Sequence, residues 1–195
     1  MRIFGVILAG GGARRMGGVD KAGLMLGGES LIARCIARLE PQVERLAISA
    51  NGDPARFGFG LPVLADAAPL GPLAGILAAL NWAAAQGATA VVAVAVDTPF
   101  FPGDLTPQLC LAAEASPTGL AIAQSGKDHP TCSLWPTSLA PALAAFLASG
   151  ENPRVLSFAQ AQHCARATFA DARAFANINT PEDLAAAEAR LKAAS

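Results

Sequence analysis

The residues that could do chemistry begin in a run from Leu8 to Lys21, LAGGGARRMGGVDK. Five glycines, two arginines and a lysine fall in the twelve residues from Gly10 to Lys21, a density that a plain solvated turn does not need. Glycine has no Cβ, so backbone N–H groups there can close on phosphate oxygens, and Arg15 and Lys21 would supply the charge. Two familiar phosphate spacings fail. A GxxxxGK(S/T) loop needs lysine directly after its last glycine, but Lys21 follows Asp20 and has no Ser or Thr beside it for magnesium. A GxGxxG dinucleotide fingerprint fits Gly10 and Gly12 and then meets Arg15 where its third glycine belongs, which makes a Rossmann oxidoreductase a minor reading.

Asp97 follows an apolar run directly, in Val96-Asp97-Thr98-Pro99. A carboxylate beside a triphosphate is repulsive unless a cation intervenes, and Mg²⁺ suits carboxylate and phosphate oxygens together. An Asp-Thr-Pro turn cap is the alternative. Asn51 and Asp66 each follow a β-like run, as ordinary turn residues do, although an amide and a carboxylate can also pair with the donor and acceptor edge of a nucleobase. Gly71 starts Gly-Pro-Leu-Ala-Gly, an opening suited to a helix with proline in its first turn. His129, in Lys127-Asp128-His129-Pro130-Thr131, invites a general-base role. Phosphoryl transfer is mainly positioning and charge neutralisation, so His129 stays outside the catalytic set. Asn177 and Asn179 share one side of an extended segment through their i, i+2 spacing, and Arg154 is a cation or simply a surface residue.

The elements that must position these residues follow from the apolar pattern. Arg2 to Leu8 and Ala90 to Val96 are near-continuous apolar runs ending in turns, which predicts central strands buried on both faces of a parallel sheet. Shorter β-like runs at Arg45 to Ser49 and Leu61 to Ala65 alternate with helix-like stretches at Ser30 to Leu39 and Leu73 to Gln86. Farther on, Leu105 to Ala115 and Ser138 to Leu147 read as helices and Gly119 to Gln124 as a strand. Thr180-Pro181-Glu182-Asp183 offers a cap, a first-turn proline and first-turn acids for a helix to about Lys192. The fold class expected is α/β, a three-layer α/β/α Rossmann-like arrangement with a mostly parallel sheet and helices on both faces.

Composition excludes several other functions. At 195 residues and 53% apolar content the chain can bury one substantial core. A net charge of −1 gives no global field for nucleic acid. The longest apolar runs fall far short of about 18 residues, so no membrane span is expected. Cys35, Cys110, Cys132 and Cys164 lack metal-ligand spacing and read as reduced thiols, which suits the cytoplasm.

LAGGGARRMGGVDK, DTP, GPLAG and DHPT together closely resemble the molybdenum cofactor guanylyltransferases (MobA-type), within the nucleotide-diphospho-sugar transferase-like superfamily. The resemblance runs from Leu8 to the helix after Pro181. It implies a magnesium-dependent enzyme that moves GMP from GTP to Mo-molybdopterin and releases pyrophosphate. In that reading Leu8, Ala9, Gly10, Lys21, Asn51, Asp66, Gly71 and Asp97 attend the nucleotide, Asp97 holds Mg²⁺, and Arg15, Lys21 and Asp97 serve catalysis. Gly18, Arg154, Asn177 and Asn179 would meet the acceptor. Residues 1–195 would form one nucleotidyltransferase domain, GTP-binding in its N-terminal part and acceptor-binding in its C-terminal part. A monomer is expected, with transient contacts to the proteins that supply and receive the cofactor. The alternatives are a cytidylyltransferase for the same pterin, whose relatives carry Ala-Gly in place of Gly10-Gly11, a sugar-phosphate nucleotidyltransferase, and a non-catalytic nucleotide-binding regulator.

Overall fold

The computed structural model describes residues 1–10, 21–66, 70–150 and 153–194. Its frame is a seven-stranded sheet built outward from β1 (Ile3–Leu8), whose run IFGVIL is apolar because both faces are covered. β1 pairs in parallel with β4 (Arg45–Ser49) on one side and β6 (Ala90–Ala95) on the other, and β4 pairs with β5 (Val63–Leu64). Between β1 and β4 lie a two-residue pair, β2 (Met25–Leu26) with β3 (Glu29–Ser30), and helix α1 (Leu31–Leu39). Ser30 caps α1 by accepting from Ala33 N at 3.3 Å. Helix α2 (Pro72–Ala84) returns the chain from β5 to β6.

The second half departs from simple alternation. After α3 (Leu105–Ala113) come β7 (Ala121–Ser125) and β8 (Lys127–Pro136), joined as a hairpin at Gly126, whose φ of 73° suits glycine. β8 runs antiparallel to both β6 and β7, and β9 (Ala165–Thr168) closes the order β5-β4-β1-β6-β8-β7-β9, parallel to β7. Helices α4 (Ala140–Ala148), α5 (Val155–Ala161) and α6 (Pro181–Ala194) complete the chain. The expected strand at Leu61 to Ala65 shortens to two residues. The expected helix from Ser138 begins as a 3₁₀ turn at Thr137–Leu139. β8, β9 and α5 stand where no element was expected.

The core has two halves, one on each face of the sheet. Phe4, Val6 and Leu8 of β1 pack with Leu73, Ile76 and Leu80 of α2 and with Trp135 and Phe158. Ile7 joins Leu31, Ile32 and Cys35 of α1, Val92 and Val94 of β6, and Phe175 and Ile178 on the opposite face. The period-2 alternation of β1 thus feeds two helix layers, which is the expected three-layer class. All four cysteines are free thiols. Among the described residues no helix is long and apolar enough to cross a membrane.

Candidate active site

Sheet register brings the candidates to one edge. Leu8 pairs with Ser49 and Ala95, and Ser49 pairs with Leu64. Gly10, Asn51, Asp66 and Asp97 therefore each stand two residues beyond a paired strand position at the same carboxyl edge. Backbone bonds carry the order one residue farther: Ala9 N donates to Ser49 O (2.9 Å), Ala50 N to Leu64 O (3.0 Å) and Val96 N to Leu8 O (3.1 Å). The chain leaves β1 toward β4 but leaves β6 toward the other half of the sheet. The β1/β6 gap is accordingly a topological switch point, where open α/β sheets hold ligands.

Lys21 and Asp97 meet across that gap. Lys21 Nζ lies 3.4 Å from Asp97 Oδ2 and donates to Asn179 Oδ1, and both charged side chains are about four-fifths buried. Asn179 arrives because Ile178 N donates to Asp97 O at 2.8 Å while the Ile178 side chain anchors in the core. The flanking Asn177 and Asn179 then share the site side, as their spacing predicted. Thr98, buried beside them, places its hydroxyl 3.4 Å from Asp97 Oδ1 and from Asn177 Oδ1. Asp183 Oδ2 accepts from the amides of Asn179 and Thr180, each at 2.9 Å, and Thr180 Oγ1 accepts from Asp183 N. Those amides hold the Asp183 carboxyl below its ordinary range. Asp183 was missed as a site residue, although the T-x-x-D spacing is the signature of such a reciprocal cap.

Asn51 and Asp66 form a second unit. Asn51 Oδ1 accepts from Asp66 N at 3.1 Å, and Asn51 Nδ2 donates to Asp66 Oδ1. Asn51's amide is thereby committed to Asp66, whose other carboxylate oxygen has no protein donor among the described residues. Leu8 turns its side chain into the core, so its contribution is to hold the backbone of Ala9 and Gly10. Gly10 needs no positive φ, and a Cβ there would approach only Ser49 O (3.8 Å) and Ala50 Cα (4.0 Å) among the described residues. The described residues leave room at Gly10. Gly71, with φ 76°, caps α2, while a Cβ on Gly75 one turn later would collide with Ser49 Oγ and crowd Leu8. Arg154 is the extended N-cap residue of α5, and among the described residues it makes no side-chain cap hydrogen bond there. Arg15 and Gly18 lie outside the described residues.

The donors around Asp97 are hard oxygens: one carboxylate, the Asn177 amide oxygen and the Thr98 hydroxyl. Among the described residues no group of three or more His, Cys, Asp or Glu could enclose a metal. Such a set fits Mg²⁺, which is commonly held by one or two carboxylates and completed by substrate phosphates and water.

The chain is similar to known proteins over most of its length. The family model described as the MobA-like NTP transferase domain matches residues 5–166. The chain is 59% identical over 194 residues to a protein of Cereibacter sphaeroides named molybdenum cofactor guanylyltransferase, covering 98% of each. It is 52% identical to a protein of the same name from Rhodobacter capsulatus, again over 98% of each. Among solved structures, molybdopterin-guanine dinucleotide biosynthesis protein A from Archaeoglobus fulgidus superposes with a TM-score of 0.79 at 22% identity, covering 97% of this chain and 99% of that one.

Proposed function

The chain belongs to the MobA-like NTP transferase family, and from that membership we propose that it is a molybdenum cofactor guanylyltransferase, moving GMP from GTP to the phosphate of Mo-molybdopterin. The observation that carries the reading is the meeting of Lys21, Asp97 and Asn179 at the switch point, one strand away from the Asn51–Asp66 pair. Residues 1–195 act as one nucleotidyltransferase domain. Guanine sits at the β4/β5 end, with Asp66 Oδ2 accepting from its N–H edge and Asn51 holding that carboxylate in place. The phosphates reach the β1/β6 gap, where Ala9, Gly10 and Gly71 line the way with little or no side chain.

An oxygen of the acceptor's terminal phosphate attacks the α-phosphorus. The new phosphorus–oxygen bond forms as the α–β bridging bond breaks, and the electron pair leaves with pyrophosphate. Lys21 Nζ, held between Asp97 and Asn179, supplies fixed positive charge to the oxygens that gather charge in that transition state. Arg15 supplies a second cation, and Gly18, Arg154, Asn177 and Asn179 attend the acceptor. When bound at Asp97, Mg²⁺ supplies charge neutralisation between the carboxylate and the phosphates. No side chain is required as a nucleophile.

Asp97→Ala tests this reading. Pyrophosphate release from GTP in the presence of acceptor is expected to fall by roughly 10²–10³-fold, the effect of removing one transition-state electrostatic contact. Release at the wild-type rate from a variant of unchanged melting temperature would remove Asp97 from the metal site and with it this mechanism.

A further inference from the structure

Lys21 stands on a piece of chain that is separate from the seven-stranded sheet. It opens a 3₁₀ turn (Lys21–Gly23) that runs into β2 and β3, and those two strands form a small sheet of their own. Its partner Asn179 stands just before α6. We propose that α6 is a clamp that sets the distance between Lys21 and Asn179, with Glu188 as a positioning residue that fixes the Lys21 segment through the backbone of Gly27. The expected effect on turnover rests on the function proposed above.

One helix grips both segments. In its first turn, Asp183 Oδ2 accepts from the amides of Asn179 and Thr180, each at 2.9 Å. Farther along, Glu188 Oε1 accepts from Gly27 N at 2.8 Å, a contact that spans 161 residues of sequence. From Asp183 to Glu188 the helix rises only about 7.5 Å, so the two grips keep a short, fixed spacing along one axis. The helix is itself seated, because Ala187 is buried in the core and Arg190 Nη1 donates to Arg173 O at 2.6 Å.

The stretch from Gly27 back to Lys21 is tied at each step, so a shift at one end carries to the other. Leu24 N donates to Lys21 O (3.1 Å) and Leu31 N donates to Leu24 O (2.8 Å), while Ala22 and Leu26 are buried. From α1, Arg34 donates through Nε to Leu26 O (2.7 Å) and through Nη2 to Gly27 O (3.3 Å). Gly27 has φ 58°, and a Cβ on it would lie 2.7 Å from Leu191 Cδ1 and 2.9 Å from Arg34 Nη2. The turn tip therefore sits directly against both helices. Arg34 ties it to α1, and Glu188 ties it to the helix that also holds Asn179.

The test compares wild type, Glu188→Ala and Glu188→Gln, with initial rates measured on GTP and Mo-molybdopterin well below the melting temperature. Glu188→Ala is expected to lower kcat about tenfold and leave the GTP KM within about twofold, inside the roughly 10²-fold that a misplacement of about 1 Å can cost. Loss of one partly exposed hydrogen bond should lower its melting temperature by no more than about 5 °C. Glu188→Gln keeps an acceptor oxygen for Gly27 N and should recover most of the loss. A wild-type kcat in Glu188→Ala, or a Glu188→Gln as slow as Glu188→Ala, overturns the clamp. Heteronuclear NMR of the lysine ammonium groups, with the Lys21 signal assigned by its loss in Lys21→Arg, reads the same geometry without substrates. That signal should be sharp in wild type and Glu188→Gln and broadened by exchange in Glu188→Ala; an equally sharp signal in all three overturns the clamp. Wild-type protein that makes no dinucleotide sinks the functional reading instead, and the Lys21 signal still decides the clamp.

Discussion

At the scale of single residues, the site is made of pairs in which one side chain orients another. Lys21 is held by Asp97 and Asn179, and Asp66 is held by Asn51 through two hydrogen bonds. The second pair gives a prediction that treats it as one unit. If Asn51 acts through Asp66, then Asn51→Ala and Asp66→Ala should each weaken GTP binding by about 1.5–3 kcal/mol, the usual worth of a hydrogen bond to a charged group. That is roughly 10- to 150-fold in Kd. The double variant should be no weaker than the worse single variant by more than about threefold, because partners in one network do not add. A GTP titration of the four proteins checks this. Strictly additive losses would mean that the two side chains contact the nucleotide independently.

At the scale of elements, the precision of the edge depends on how closely α2 packs on β1 and β4. Gly75 lets the helix approach Ser49 and Leu8, the two strand positions whose next residues lead to Asn51 and Gly10. Gly75→Ala is therefore expected to cost about 1–3 kcal/mol of stability by overpacking, a drop of roughly 2–10 °C in melting temperature for a chain of this length. Ser49→Ala in the same chain removes the atom that the new Cβ would strike and should return part of that loss. Thermal melts of the three variants decide it, and a Gly75→Ala protein as stable as wild type would show that α2 shifts without strain. The same packing explains what was legible beforehand. β1 and β6 are buried on both faces, so each reads as an unbroken apolar run, and Asp97 stands out where such a run stops. β8 was hidden because it begins Lys-Asp-His-Pro. Pro130 falls at the bulge, where the ladder is already interrupted and a proline is tolerated. The contact between Lys21 and Asn179 spans 158 residues and carries no local signal, so only the assembled sheet reveals it.

At the scale of the whole molecule, a chain with net charge −1 binds polyanionic substrates through a site that is only locally cationic. Selectivity must then come from the edge itself and not from a general attraction for phosphate, which makes a ligand panel discriminating. Anything that binds the folded chain alone stabilises it by RT ln(1 + [L]/Kd), about 2.7 kcal/mol at one hundred times Kd. For a chain of this size that is roughly 5–10 °C in melting temperature. GTP with Mg²⁺ should give a shift of this order, CTP and ATP at the same concentration a smaller one, and NAD none. If Asp97 holds Mg²⁺ as proposed, removing the metal with a chelator should shrink the GTP shift, because Asp97 would then face the triphosphate with Lys21 as its neighbouring cation but no metal between. Equal shifts from GTP and CTP would mean that the Asn51–Asp66 end does not read the base. A shift from CTP or NAD but not from GTP would exclude the guanylyltransferase reading altogether, since the order of elements along the sheet would then serve a different ligand at the same edge.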